Sequence, residues 1–157
     1  MMENRLASTL VVCIGNAIAS DDGVGEAVYE VLARHTLSPT VKLELLGVAG
    51  LDLVELINGE NQLIIVDAVR LGGEVGSVKV LDYHTLDVVK GRGNSIHDIG
   101  VHEALQLVET LYPDRLPESI TIVGVEGETF NKVGGLSPSV MKAVTPCAET
   151  VLALLPK

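Results

Sequence analysis

Two aspartates and one histidine stand where metal-assisted chemistry would need them. Asp22 lies in the loop after a short apolar run, residues 11–14; Asp67 closes a second run, residues 63–66; His97 opens a helical pattern. Two carboxylate oxygens and one imidazole nitrogen make an acceptable ligand set for Zn²⁺ or Ni²⁺, with positions left for water or for a partner's ligands. Neither a CxxC nor an HExxH spacing occurs, so spacing by itself leaves the metal open.

The first of these loops has a telling sign. The stretch VVCIGNAIASDDGVG reads as strand, loop and helix, and in an open α/β fold such a loop borders the ligand crevice. Phosphate-cradling loops offer glycines and backbone amides, whereas this one carries adjacent acids, Asp21 and Asp22. A cation suits it better than an anion. Each acid also has a purely structural reading. Ser20 or Asp21 would N-cap the following helix, and Asp67 would cap Ala68-Val69 or satisfy loop amides.

The rest of the chain must position these groups. Helical spacing is expected over residues 25–34, with Val24, Ala27, Val28, Val31 and Leu32 inward, then a strand over 41–46 with one poorer face, suited to an edge. A short helix over 50–57 follows, then the most apolar strand, 63–66, and another short strand over 75–81. Residues 83–94 read as an irregular excursion whose Gly91-Arg92-Gly93-Asn94 tail suggests a mobile cover. A helix over 100–111, entered through Ser95 to Asp98, offers Val101, Leu105, Leu107 and Val108 as its buried face. A strand over 119–125, a Gly-rich return and a helix over 138–155 complete the chain.

This order predicts an α/β fold, a three-layer α/β/α sandwich with a twisted, mostly parallel five-stranded sheet, in one domain over residues 1–157. Composition agrees, since apolar residues reach 47% while aromatics are 3% and Trp is absent. Such a core must be built of Val, Leu, Ile and Ala. The formal net charge of -10 argues against nucleic acid or an anionic membrane as partner. Cys13 in a strand and Cys147 in a helix are expected to be reduced, buried thiols of a cytoplasmic protein; no signal-peptide pattern or membrane-span length occurs.

At these residues the chain resembles the [NiFe]-hydrogenase maturation endopeptidases. The likeness is carried by Gly15-Asn16, the acidic pair Asp21-Asp22 with Gly25, Asp67-Ala68 after an apolar strand, and Ser95-Ile96-His97 at a helix start. Val123-Gly124-Val125-Glu126 and Leu136-Ser137-Pro138 extend it to the end of the chain. The resemblance implies a cytoplasmic, monomeric processing protease that removes the C-terminal extension of a hydrogenase large-subunit precursor after nickel insertion. It further implies that Asp22, Asp67 and His97 are the catalytic residues that meet nickel, supplied by the substrate, with zinc or another divalent cation able to substitute. Where family members often carry Gly-Gly followed by Thr or Ser, this chain has Leu46-Gly47-Val48, a departure in a loop of possible substrate contact.

On this reading nickel either polarises the scissile carbonyl, activates water or serves only for recognition, with Asp21 as a candidate base. Asp21 and His102 are the second choices as ligands; His102, five residues after His97, falls about 140° further round a helix. His35 and His84 lie in polar contexts and are expected at the surface. Two other classes compete: a non-catalytic module recognising a nickel protein, and a phosphoacceptor receiver, which would need a Lys where Val125-Glu126 stands. A serine hydrolase built on Ser20 or Ser95 lacks the GxSxG elbow.

Overall fold

The computed structural model describes residues 8–85, 96–130 and 132–156, and of residues 96–99 the backbone alone. Among the described residues five strands form one sheet: β1 (Thr9–Ile14), β2 (Val41–Leu46), β3 (Gln62–Val69), β4 (Val78–Asp82) and β5 (Ser119–Glu126). Their spatial order is β2-β1-β3-β5-β4. The pairs β1–β2, β1–β3 and β3–β5 are parallel, while β4 runs antiparallel to β5 at the edge. The helices are α1 (Val24–Ala33), α2 (Leu51–Leu56), α3 (Ile96–Leu111) and α4 (Pro138–Leu154). The three-layer α/β/α arrangement and mostly parallel sheet expected from the sequence are therefore present.

Strand alternation divides the core between the two faces of the sheet. Leu10, Val12, Ile14, Leu63 and Ile65 pack with α2 and α3 through Leu53, Val101, Leu105 and Val108. Val11, Cys13, Ile64 and Val66 pack with α1 and α4 through Val28, Leu32, Val140, Cys147 and Val151. Every residue of β1 is buried, as expected of a strand covered on both sides, whereas β2 at the edge is only half-buried.

Three expectations are corrected. β3 does not stop at Val66 but continues through Asp67 to Val69, because β5 keeps pairing with it, Asp67 opposite Gly124 and Val69 opposite Glu126. A polar residue in an apolar run had looked like an end. β4 begins at Val78 and not at residue 75, since Gly76 takes a left-handed φ of 88° and Ser77 closes a turn onto the Glu74 carbonyl. Leu107 does not join the core, being 39% exposed; Val101, Ala104, Leu105 and Val108 form the face toward the sheet. The suggested mobile cover at residues 91–94 lies outside the described residues.

One close approach fixes how the first loop returns to the sheet. A Cβ on Gly25 would collide with the carbonyl of Ile14, because the first turn of α1 sits directly on the end of β1. Gly25→Ala is therefore expected to destabilise the protein by about 1–3 kcal/mol, by overpacking. Urea unfolding checks this, and an unchanged midpoint would contradict the packing described.

Candidate active site

The loop after β1 is short of regular structure yet held by hydrogen bonds within itself and to neighbouring segments. Gly15 N–H donates to the Leu46 carbonyl at 2.9 Å, and Asn16 N–H to the Asp22 carbonyl at 3.3 Å. The Asn16 side-chain oxygen accepts from Ile18 N–H at 3.2 Å, and Glu26 accepts from Ala17 N–H at 3.0 Å. The loop then enters a single 3₁₀ turn, Asp21–Gly23, before α1. Neither Ser20 nor Asp21 caps α1 through its side chain; the N-cap position is Gly23. The capping reading is thus corrected: the intervening 3₁₀ turn moves the start of α1 beyond both residues.

The two adjacent acids do different work. Asp21 is wholly buried and faces the return between β5 and α4. Its Oδ2 accepts from Glu128 N–H at 2.8 Å, Thr129 N–H at 3.0 Å and Ser137 Oγ–H at 3.0 Å, and its Oδ1 accepts from Ser137 N–H at 2.7 Å. Burial alone would raise its pKa, but the amides of Thr129, Ser137 and Glu128, with the Ser137 hydroxyl, more than offset this and hold it below its ordinary value. A carboxylate so saturated does not serve as a general base, which corrects that expectation. The donors lie more than a hundred residues away in the chain, so nothing near Asp21 in the sequence announced them.

Asp22, one residue on, lines a cleft of about 480 Å³ at the carboxyl end of the sheet. The walls come from the loop after β1 (Asn16, Ala19), from 47–50 after β2, from the start of α2 (Leu51, Val54), and from Gly100, Glu103, Ala104 and Leu107 on α3. Asp67, 1% exposed, occupies the face of β3 shared by Leu63 and Ile65, which is the face covered by α2 and α3. Its Oδ1 accepts from Ala68 N–H at 2.8 Å, so the local amide role foreseen for it is present. The 3₁₀ turn carrying Asp22 packs against β3. Asp22 and Asp67 therefore flank the point where the chain leaves β1 in one direction for β2 and in the other for β3, the position at which open α/β sheets bind ligands.

Position 97 belongs to the first turn of α3, a helix that leads into the parallel strand β5. Its N-terminal turn is consequently at the carboxyl end of the strands, the end occupied by Asp22 and Asp67. Position 97 also precedes Gly100 by three residues on the helical stripe that continues through Ala104 and Leu107, all of which line the cleft. The side chain of His97 lies outside the described residues, and among those described no three His, Cys, Asp or Glu groups come together around a metal position. His102 is half-buried beside Tyr83, with ring centroids 6.0 Å apart, and does not line the cleft. His35 and His84 are at the surface, as expected.

Glu103 was not foreseen. It shares the cleft with Asp22, and nothing in its sequence context announced it, since Gly100 three residues before is known as a cleft residue only from the structure. Glu126 likewise proves to be a buried structural acid: Leu71 and Gly72 amides donate to it at 3.0–3.1 Å, pinning the turn between β3 and β4.

Comparison with known proteins agrees with this geometry. Residues 26–154 match the model of the hydrogenase maturation protease family. The chain is 32% identical over 149 residues to the hydrogenase expression/formation protein HupD of Thiocapsa roseopersicina, covering 93% of this chain and 66% of that protein. It is 29% identical to the hydrogenase 2 maturation protease of Escherichia coli K12, covering 93% and 89%. Among solved structures, the hydrogenase maturating endopeptidase HybD from E. coli superposes with a TM-score of 0.79 at 26% identity, over 92% of this chain and 90% of that one. A solution structure of an endopeptidase from Escherichia coli gives 0.82 at 28% identity, with the same coverage. The fold is the α/β fold of these maturation endopeptidases, a mostly parallel five-stranded sheet with helices on both faces. The chain belongs to the hydrogenase maturation protease family, a family of endopeptidases. That membership sets the receiver reading aside, as does the sheet order, since receivers such as CheY order their strands 2-1-3-4-5.

The two cysteines stand apart from the cleft, buried in the layer between the sheet, α1 and α4. Burial pushes the Cys147 thiol up to about 12, and burial together with the neighbouring Cys147 raises Cys13 further still. Folded protein then keeps protons that the unfolded chain releases above about pH 8.5, so stability falls as pH rises, by up to about 1.4 kcal/mol per pH unit for each thiol. Urea unfolding at pH 8 and pH 10 is expected to show a steeper loss for the wild type than for Cys147→Ala. Equal losses would contradict it.

Proposed function

We propose that the protein is the endopeptidase that removes the C-terminal extension of a [NiFe]-hydrogenase large-subunit precursor, and that it recognises the nickel its substrate already carries. The observation that supports this reading best is that Asp22 lines the cleft while Asp67, on the neighbouring strand β3, and the first turn of α3 with position 97 lie toward the same, carboxyl end of the sheet. Two hard oxygen donors and an imidazole suit nickel or zinc, and three protein ligands leave coordination positions for groups of the precursor itself.

In this reading the chain's residues act as follows. Asp22, Asp67 and His97 dock the substrate's nickel and so bring the peptide bond beside it to a fixed place, converting recognition into orientation. The sheet edge and the small residues of the cleft admit an extended segment, and Glu103 adds a second negative charge to its wall. Bound nickel supplies Lewis acidity toward a carbonyl or water. Asp21 takes no part in proton transfer. In this reading the setting is the cytoplasm, which the two free, buried cysteines favour, and the working unit a monomer.

Incubation with a nickel-loaded cognate precursor, read by intact mass, is the test. Wild-type protein is expected to release a C-terminal peptide. Asp22→Asn and Asp67→Asn are each expected to lose at least about 100-fold in rate, since even outer-shell partners of a metal cost 10–100-fold. Tight binding without cleavage by the wild type would instead identify a recognition module. Full-rate processing of a nickel-free precursor under a chelator would overturn the role of nickel.

A further inference from the structure

The loop that bears Asp22 is stitched to a segment from the far end of the chain, and the stitching converges on its neighbour. Ser20 N–H donates to the Gly134 carbonyl at 2.8 Å, Asp21 N–H to the Thr129 carbonyl at 3.0 Å, and Gly134 N–H to the Ile18 carbonyl at 3.0 Å. The Ser20 hydroxyl donates to the Lys132 carbonyl at 2.9 Å. Ser20 is the only non-glycine residue with positive φ among those described, at φ 55° and ψ -134°. A backbone held there persists only where its surroundings over-determine it. The four donors on the Asp21 carboxylate are the largest part of that determination.

Ser137 makes the arrangement specific. It occupies the N-cap of α4, where a serine hydroxyl ordinarily bonds the helix's own amides, yet it makes no side-chain cap. Both its N–H and its hydroxyl are given to Asp21 instead. Gly127 leaves room for this, since a Cβ there would come within 3.1 Å of the Asp21 Cβ and 2.6 Å of the Phe130 ring. Consecutive residues in a 3₁₀ turn diverge by about 120°, so fixing Asp21 against the return fixes the direction in which Asp22 leaves the same turn.

We propose that Asp21 is a positioning residue: its carboxylate latches the Ser20–Gly23 turn onto the return between β5 and α4, and thereby sets Asp22 in the cleft. The catalytic consequence rests on the function proposed above; the latch itself does not. The same latch couples the start of α4 to the site, so that the last helix of the chain, remote from the cleft, governs its geometry.

Asp21→Asn and Ser137→Ala separate this from a general structural role. An asparagine cannot accept at both positions, because its NH₂ must face either the Ser137 amide or the three donors on the other side. Amide hydrogen exchange on Asp21→Asn is expected to rise at least tenfold at Asp22 and Gly23, whose amides bond to Ala19 and Ser20, while Val12 and Ile64 in the sheet are unchanged. On the nickel-loaded precursor kcat is expected to fall at least tenfold with KM within twofold. Ser137→Ala, which keeps the three amide donors, is expected to lose about threefold in kcat. An Ile120→Val variant, altered near the amino end of β5 and so at the end of the sheet away from the cleft, serves as control for stability, with kcat retained at a comparable loss of Tm. Unchanged exchange at Asp22 and Gly23, or a rise spread evenly over the molecule, would overturn the latch. Should Asp21→Asn fail to fold, unaltered exchange at the turn in Ser137→Ala would overturn it equally. Failure of the wild type to cleave would overturn the proposed function and leave the exchange test decisive for the latch.

Discussion

Carboxylates buried at one end of an aliphatic sheet are the constraint to which the rest of this structure answers. Asp21, Asp22, Asp67 and Glu126 are all at most 4% exposed, and each lies at or just beyond the carboxyl end of a strand. An ionised carboxylate loses several kcal/mol of hydration when buried, and folding tolerates the loss only where donors or a cation replace the water. Glu126 is satisfied by the turn at Leu71 and Gly72, and Asp21 by the return at Glu128, Thr129 and Ser137. These loops are consequently held in place by the acids they solvate. The site's scaffold and its charge are one arrangement.

The consequence for function is a division between adjacent residues. Asp21 and Asp22 are chemically identical and neighbours in sequence, yet one faces a wall of amides and the other an open cleft lined by small and apolar side chains. The amides stabilise charge that never moves. The cleft offers charge to whatever enters. A cation carried by a substrate is the counterpart we propose for the second environment. Exposed Val48, Leu51 and Leu107 rim the cleft, so an occupant would meet apolar surface around a negatively charged floor.

Much of this was legible in the sequence. Residues 11–14 and 119–125 are largely apolar and residues 41–46 alternate apolar with charged, and each stretch lies within a strand of the structure. Asp22 and Asp67 stood out because acids at strand ends of an otherwise aliphatic chain are costly. What was not legible depends on partners remote in sequence. The true length of β3 is set by β5, the engagement of Asp21 by Ser137, and the exposure of Leu107 by where α3 turns its second face. Glu103 was missed because a lone exposed acid on a helix carries no periodic signal until the cleft is seen beside it. Periodicity reads one element at a time, whereas a site is made between elements.

The central claim is that Asp22, Asp67 and His97 belong to one centre. Anomalous diffraction at the nickel edge from crystals of the protein equilibrated with Ni²⁺ tests it most directly. The account predicts a single strong peak at the carboxyl end of β1 and β3, within bonding distance of Asp22 and Asp67 carboxylate oxygens and a His97 ring nitrogen. A peak held by Glu103, His102 or surface groups instead, with those three side chains apart, would contradict it.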